Sequence, residues 1–293
     1  MKNRLAGGYI LAFALIVLVM LIIMFVGVGG GRKDSISTSG PRVGVIKLDG
    51  VIMSSRSITD QFQRMNKAKN IKAIVFRINS PGGGIAASQE ILDGVRAVRD
   101  SGKPVIVSME SVAASGGYYV ALGADTIMAN PGTTTGSIGV IVEIPNFSKL
   151  MEKIGIDVTV IKSGKFKDTG SPYRSVTPSE RKYLQSWIDD GYEQFVQEVS
   201  RERGLPLDSV KSLADGRVYS GAQAFELGLI DTLGSYRDAV ALAGKLAGFE
   251  GEPKTVTIPS HEITLFDLLT TDIRDLLQSV LPLWPRIQYK MLI

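Results

Sequence analysis

Apolar and polar positions divide this chain into stretches of different character. No charged residue occurs between Leu5 and Gly31, and the dense part, Ile10 to Val28, is almost wholly apolar. As a helix that part spans roughly 28 Å at about 1.5 Å per residue, which matches a hydrocarbon core of about 30 Å. An uncleaved anchor is expected over a cleaved leader, whose apolar region runs only about 7–15 residues. Gly29 to Pro41 is rich in Gly and Ser, has no apolar period and reads as a linker. From Arg42 onward short apolar runs alternate with helical spacing. Val43–Leu48, Ile71–Ile78 and Val105–Met109 read as strands, the second ending in the breaker Asn79-Ser80-Pro81-Gly82-Gly83-Gly84. Ile91, Val95 and Val98 fall on one helix face, and Ser115–Leu122 reads as a helix start. Ile138–Val142 and Val158–Lys162 are read as further strands, with a helix over Phe147–Ile154 between them.

Thr177-Pro178-Ser179-Glu180 has the form of a capping box with proline in the first turn. The helix it opens runs to Arg203 and carries Leu184, Ile188, Phe195 and Val199 on one face. Ala222 to Asp231 predicts a short helix, a stop at Gly228 and a strand. From Leu265 leucines alternate with charges, as in an amphipathic helix or a tail. Alternating strands and helices predict an α/β fold with parallel pairing and crossover helices. The expected organisation is an anchor at 1–31, a linker at 32–41, a catalytic domain at 42–260 and a tail at 261–293.

Composition narrows the chemistry. The chain has 293 residues, 44% of them hydrophobic, enough for a sizeable core. Its formal charge of +4 includes Lys2 and Arg4 ahead of the apolar segment, so the remainder is close to balance and gives no electrostatic case for nucleic acid. Charges flank the segment on both sides, and the very short N-terminal tail favours an N-in anchor with the bulk of the chain outside. The absence of cysteine excludes disulfides, thiolate metal sites and a cysteine nucleophile. With one histidine, His261, and no carboxylates at ligand spacing, no metal or cofactor is expected.

Ser115 lies in the small-residue run Ala113-Ala114-Ser115-Gly116-Gly117-Tyr118-Tyr119. Such a run suits a nucleophile turn, where the backbone bends sharply and a substrate approaches closely. It also suits close helix packing. A serine nucleophile needs a base, and the single histidine lies far down the chain, so a lysine is the expected base and a serine–lysine hydrolase the expected class. Gly82, Gly83 and Gly84 offer N–H groups that could face an oxyanion without a side chain in the way, and the Gly116 N–H at a helix start offers another. The same glycines would serve a plain strand-to-helix turn, or cradle a phosphate, though the Gly-Lys-Ser/Thr ending of a P-loop is missing. Ser80, directly before a proline, is discounted as a turn serine. Lys162, Lys165 and Lys167 follow an apolar run, and local sequence alone does not choose between them.

These motifs, in this order, together with Thr135-Gly136-Ser137-Ile138-Gly139-Val140, Ser163-Gly164-Lys165-Phe166-Lys167-Asp168 and Ala214-Asp215-Gly216-Arg217-Val218-Tyr219, resemble signal peptide peptidase A of the short bacterial type. The resemblance covers Val43 to Ala247. It implies stacked ββα units of the Clp protease and crotonase type, preceded by a single transmembrane helix. It also implies Ser115 as nucleophile, Lys167 as general base with Lys165 as the rival, and Ser137 as a serine that positions the amine. Gly82 and Gly116 match the oxyanion donors, with Gly83 beside them. The implied substrates are signal-peptide remnants and other apolar peptides. The implied setting is a membrane-bound homo-oligomer with its catalytic domain outside the cytoplasm. A related membrane serine protease acting on a stomatin-like partner is the near alternative. A crotonase-like acyl-CoA enzyme or non-proteolytic scaffold is the distant one.

Overall fold

The computed structural model describes residues 40–257 and the backbone of residues 288–290. All of these belong to one compact unit. The expected anchor, most of the linker, His261 and most of the tail lie outside the described residues. Among the described residues no helix is long and apolar enough to cross a membrane.

The elements in chain order are β1 (Arg42–Asp49), α1 (Arg56–Lys67), β2 (Ile71–Ser80), β3 (Gly82–Gly84), α2 (Ile85–Asp100), β4 (Val105–Ala114), α3 (Gly116–Ala121), β5 (Thr126–Ala129), β6 (Thr134–Gly136), α4 (Ser148–Lys153), α5 (Pro178–Arg203), α6 (Leu207–Leu213), β7 (Val218–Ser220), α7 (Gly221–Glu226), β8 (Thr232–Leu233), α8 (Tyr236–Leu246), β9 (Thr255–Thr257) and β10 (Gln288–Lys290). The main sheet runs β7-β6-β4-β2-β1-β9, with β5 pairing β4 and β8. Its pairings are parallel except for β6 with β7. This is the parallel-rich α/β sheet the sequence predicts.

Both faces of the central strands are apolar because both are covered by helices, as a parallel sheet requires. Val43, Val45, Ala73, Val75 and Ile106 pack with Ala239, Val240 and Ala243 of α8 on one face. On the other face Phe76 meets Phe62 of α1 edge-on, with centroids 5.1 Å apart. Gly44 lies under α1, where a Cβ would fall 2.5 Å from the Met65 sulfur.

Strand β4 divides. Its first half, Ile106–Met109, pairs with β5, and its second half, Val112–Ala114, pairs with β6. The far end of β4 therefore lies between the end of β2, where Ala113 pairs Ser80, and the end of β6, where Ala114 pairs Gly136. Chain segments converge there, at the carboxyl ends of parallel strands, where α/β sheets build their sites.

Helix α5 begins at the expected capping box: the Thr177 side chain accepts from the Glu180 N–H while the Glu180 carboxylate accepts from the Thr177 N–H. Gly228 has φ 72° and ends the short α7 turn as expected. Other expectations need correction. The glycines after β2 form a short strand, β3, rather than a turn alone: Ile52 donates to the Gly82 carbonyl and accepts from the Gly84 N–H, each at 2.8 Å. Ile138–Val142 and Val158–Lys162 form no strands. Val158, Val160 and Ile161 are exposed, with Ile161 at 96%. Their apolar side chains face outward instead of joining the sheet, and a strand without a paired neighbour is not stable alone.

Candidate active site

Strand β4 delivers Ser115 into a backbone bend of φ 53° and ψ −118°. Only Ser115 and Ser137 have positive φ among the described non-glycine residues. Each such bend costs about 1–3 kcal/mol and persists only where surrounding structure holds it. The holding groups are clear for Ser115. Its N–H donates to the Gly136 carbonyl at 2.7 Å, and its carbonyl accepts from the Tyr119 N–H at 2.8 Å. Tyr118, fully buried, donates its hydroxyl to the Leu229 carbonyl at 2.8 Å. Burial pushes that hydroxyl's pKa well above the usual range. Tyr119 packs edge-on against Phe195 of α5 at 5.0 Å. Helix α3 is thus fixed from two sides, and Gly117 lets it press on β2, since a Cβ there would lie 2.6 Å from the Ser80 carbonyl oxygen.

The Ser115 Oγ is buried and has no hydrogen-bond partner among the described residues. A buried hydroxyl left without a partner costs about 1–3 kcal/mol, so its retention points to chemistry.

Ser137 follows β6 directly. The Ser115–Gly136 hydrogen bond brings it alongside the Ser115 turn. Its own N–H donates to the Arg217 carbonyl at 2.9 Å. Ser137 also lines a cavity of about 560 Å³ that includes Val140, Ile141, Ile188 and Tyr192. Next to it, Gly136 admits no side chain, because a Cβ would lie 2.5 Å from the Tyr219 ring.

The glycines of β3 divide their roles. The Gly82 N–H donates to the Ser80 Oγ at 3.1 Å, so the discounted Ser80 is a buried acceptor rather than a reactive group. The Gly82 carbonyl and Gly84 N–H face Ile52. Alternation along the strand turns the Gly83 N–H and C=O to the opposite edge. That edge is where β10 pairs antiparallel, with Tyr289 opposite Gly83. A Cβ on Gly83 would lie 2.1 Å from the Ile52 carbonyl oxygen.

The candidate lysines lie in a segment without helix or strand. Lys162, Lys165 and Lys167 are all exposed. Lys162 pairs with Asp168, and Lys165 stands 5.4 Å over the Phe166 ring. Among the described residues the Ser115 Oγ has no hydrogen-bond partner, Lys167 included. Among the described residues no group of three or more histidine and carboxylate side chains is placed to hold a metal ion.

Sequence reasoning missed a charged cluster behind the Lys167 segment. Arg174 donates through Nε to Asp168 at 2.9 Å and through Nη2 and Nη1 to Glu180 at 2.5 and 2.9 Å. Glu180 is only 2% exposed. The Arg174 hydrogen bonds hold the Glu180 carboxyl at about 2. Those from Arg174 and Lys162 hold Asp168 well below the usual carboxylate range. The Glu180 capping box was the available signal, but its partner Arg174 belongs to tertiary structure.

The family model described as peptidase family S49 matches residues 97–250, and one described as Clp protease matches residues 45–135. A putative protease of Synechocystis is 43% identical over 71% of this chain and 76% of its own length. The chain belongs to peptidase family S49. A putative signal peptide peptidase SppA of Enterococcus faecium is 41% identical over 61% of this chain and 52% of its own length. Protease 4 of Haemophilus influenzae is 35% identical over 70% of this chain, which spans 35% of that protein. The relatives support an SppA-type S49 peptidase, and the parallel-rich sheet fits the Clp-like architecture of the second family model.

Proposed function

We propose that this S49 chain is a membrane-bound serine endopeptidase that cuts signal-peptide remnants and other apolar peptides with Ser115 as nucleophile and Lys167 as base. The observation that carries this reading is the Ser115 turn: a strained backbone, a buried hydroxyl without a partner and a glycine-lined edge beside it. Neutral Lys167 removes the Ser115 proton, and Ser137 orients the amine. The Oγ attacks the peptide carbonyl carbon. The developing oxyanion takes the Gly116 N–H and the Gly82 N–H, the latter released by the Ser80 Oγ, which holds it at 3.1 Å. Lys167 then gives its proton to the leaving amine, and water hydrolyses the acyl-enzyme to return Ser115. Each oxyanion donor supplies about 10²–10³ in rate. Gly83 holds substrate main chain by strand addition; the antiparallel register of β10 on β3 supports an extended ligand there.

Lys167 is exposed in the single chain, yet a lysine base works only when desolvated. Every residue from 152 to 167 is exposed, including Ile154, Ile156, Val158, Val160 and Ile161. An apolar surface of that kind marks an interface. We therefore assign the Lys167 amine to the Ser115 of a second copy, which makes the homo-oligomer the active form. The apolar segment Ile10–Val28 anchors the chain in a single pass with its catalytic domain outside the cytoplasm.

The test is hydrolysis of an apolar fluorogenic peptide by wild type, Ser115→Ala and Lys167→Ala. Both variants are expected to stay folded and lose turnover by about 10⁴ or more. Wild-type turnover should fall at low pH, because a protonated lysine accepts no proton. Retained activity in Lys167→Ala together with loss in Lys165→Ala would move the base by two positions. No cleavage by wild type would favour the scaffold reading.

A further inference from the structure

The segment that carries Lys167 has no helix or strand between residues 154 and 177, so some other device must set its path. A chain of ion pairs does so. Helix α5 fixes Glu180 through its capping box, Glu180 binds the Arg174 fork, and Arg174 binds Asp168, the residue next to Lys167. Arg174 Nη2 also donates to the Asp168 carbonyl at 3.1 Å, which grips the main chain as well as the carboxylate. Lys162 occupies the other carboxylate oxygen of Asp168.

We propose that Arg174, Asp168 and Glu180 are positioning residues for Lys167, holding its segment in place and keeping the neighbouring carboxylate engaged so that it does not ion-pair with the catalytic amine. The proposal rests on the assignment of Lys167 as the base. Its second half follows from charge. A free carboxylate within about 4–6 Å of an amine favours the protonated amine by about one to three pH units. A carboxylate already bound by a guanidinium and an ammonium has no such effect. The charged groups around the Asp168 carboxylate are Lys162, Arg174 and, behind it, Glu180, while Lys165 and Lys167 flank it along the chain. Bidentate geometry matters at Arg174, because one side chain bridges two carboxylates on different segments, and lysine has no such fork.

The experiment compares pH–rate profiles of kcat/KM for full-length protein in detergent, with an apolar fluorogenic peptide. Arg174→Met takes the guanidinium from Asp168 and leaves its carboxylate held by Lys162 alone. Its acid limb should move to higher pH by about one unit, and kcat should fall roughly tenfold or more as the segment shifts. Adding Asp168→Asn to Arg174→Met should return the limb to its wild-type position while kcat stays low. Asp168→Asn alone keeps the Arg174–Glu180 pair and the fold, and should lower kcat without moving the limb upward. A role confined to stability would lower activity in step with folded fraction and move no limb. Wild-type profiles in Arg174→Met, or a shift that persists in the double variant, would overturn the clamp. Full activity in Lys167→Ala would instead overturn the base assignment, and the clamp with it.

Discussion

Residues 113–123 are buried without exception, and residues 152–167 are exposed without exception. Both stretches are rich in small and apolar side chains, and both carry a residue assigned to one reaction. The nucleophile end is completed by its own fold: strands β2 and β6 flank it, Tyr118 and Tyr119 are tied into the core, and close contacts at Gly83 and Gly117 leave no spare volume. The base end is anchored at its rear by Arg174 and turns its apolar residues outward. The comparison teaches that one half of the proposed site is preorganised by packing within a chain, while the other is left exposed by it.

Glycine substitution breaks the comparison most sharply. Gly83→Ala forces a Cβ to within 2.1 Å of the Ile52 carbonyl oxygen. It should cost about 3 kcal/mol and lower turnover by about 10². At the other end, a Cβ on Gly164 meets nothing within 4 Å. Gly164→Ala should leave the stability of the isolated chain within about 0.5 kcal/mol. Denaturant titration beside peptide hydrolysis reads both, and equal losses at the two glycines would erase the distinction.

Ile161→Glu should give a smaller effect. Its side chain is 96% exposed, so the stability of a single copy should change by less than about 0.5 kcal/mol. Self-association should weaken, and turnover per chain should fall about tenfold at low protein concentration. Sedimentation and activity measured over one dilution series would show the two falling together. Undiminished association would place the interface elsewhere.

The smallest effect concerns acid stability. Glu180 and Asp168 both titrate below the ordinary carboxylate range, so the stabilisation they give is complete above about pH 5. It is lost as pH falls toward the folded Glu180 value of about 2. The Arg174→Met variant should lose part of this acid dependence, visible as a flatter melting-temperature profile at low pH.

Much of the first region is legible in the sequence, because its determinants are local. Apolar runs mark β1, β2 and β4, and a glycine-flanked serine after a strand marks the turn. β3 reads as a breaker because its three glycines show no side-chain pattern, and only its pairing with β10 and Ile52 makes it a strand. Helix α1 goes unread although Ile58, Phe62 and Met65 carry its buried face. The second region misleads for a physical reason. Val158, Val160 and Ile161 have strand-like character, but no strand of the sheet lies beside them and they stay exposed. The clamp is equally silent, since Asp168 and Glu180 meet through Arg174 only after the segment folds back on α5.

The most direct test is complementation. Ser115→Ala and Lys167→Ala copies, each inactive alone, are co-expressed and purified together. If the dyad forms between copies, mixed oligomers contain sites with both groups intact, and random assembly should restore about a quarter of wild-type turnover. If wild type is active and the mixture stays as inactive as either variant, Ser115 and Lys167 act within one chain, and the contrast between the two regions is not the basis of the enzyme's assembly.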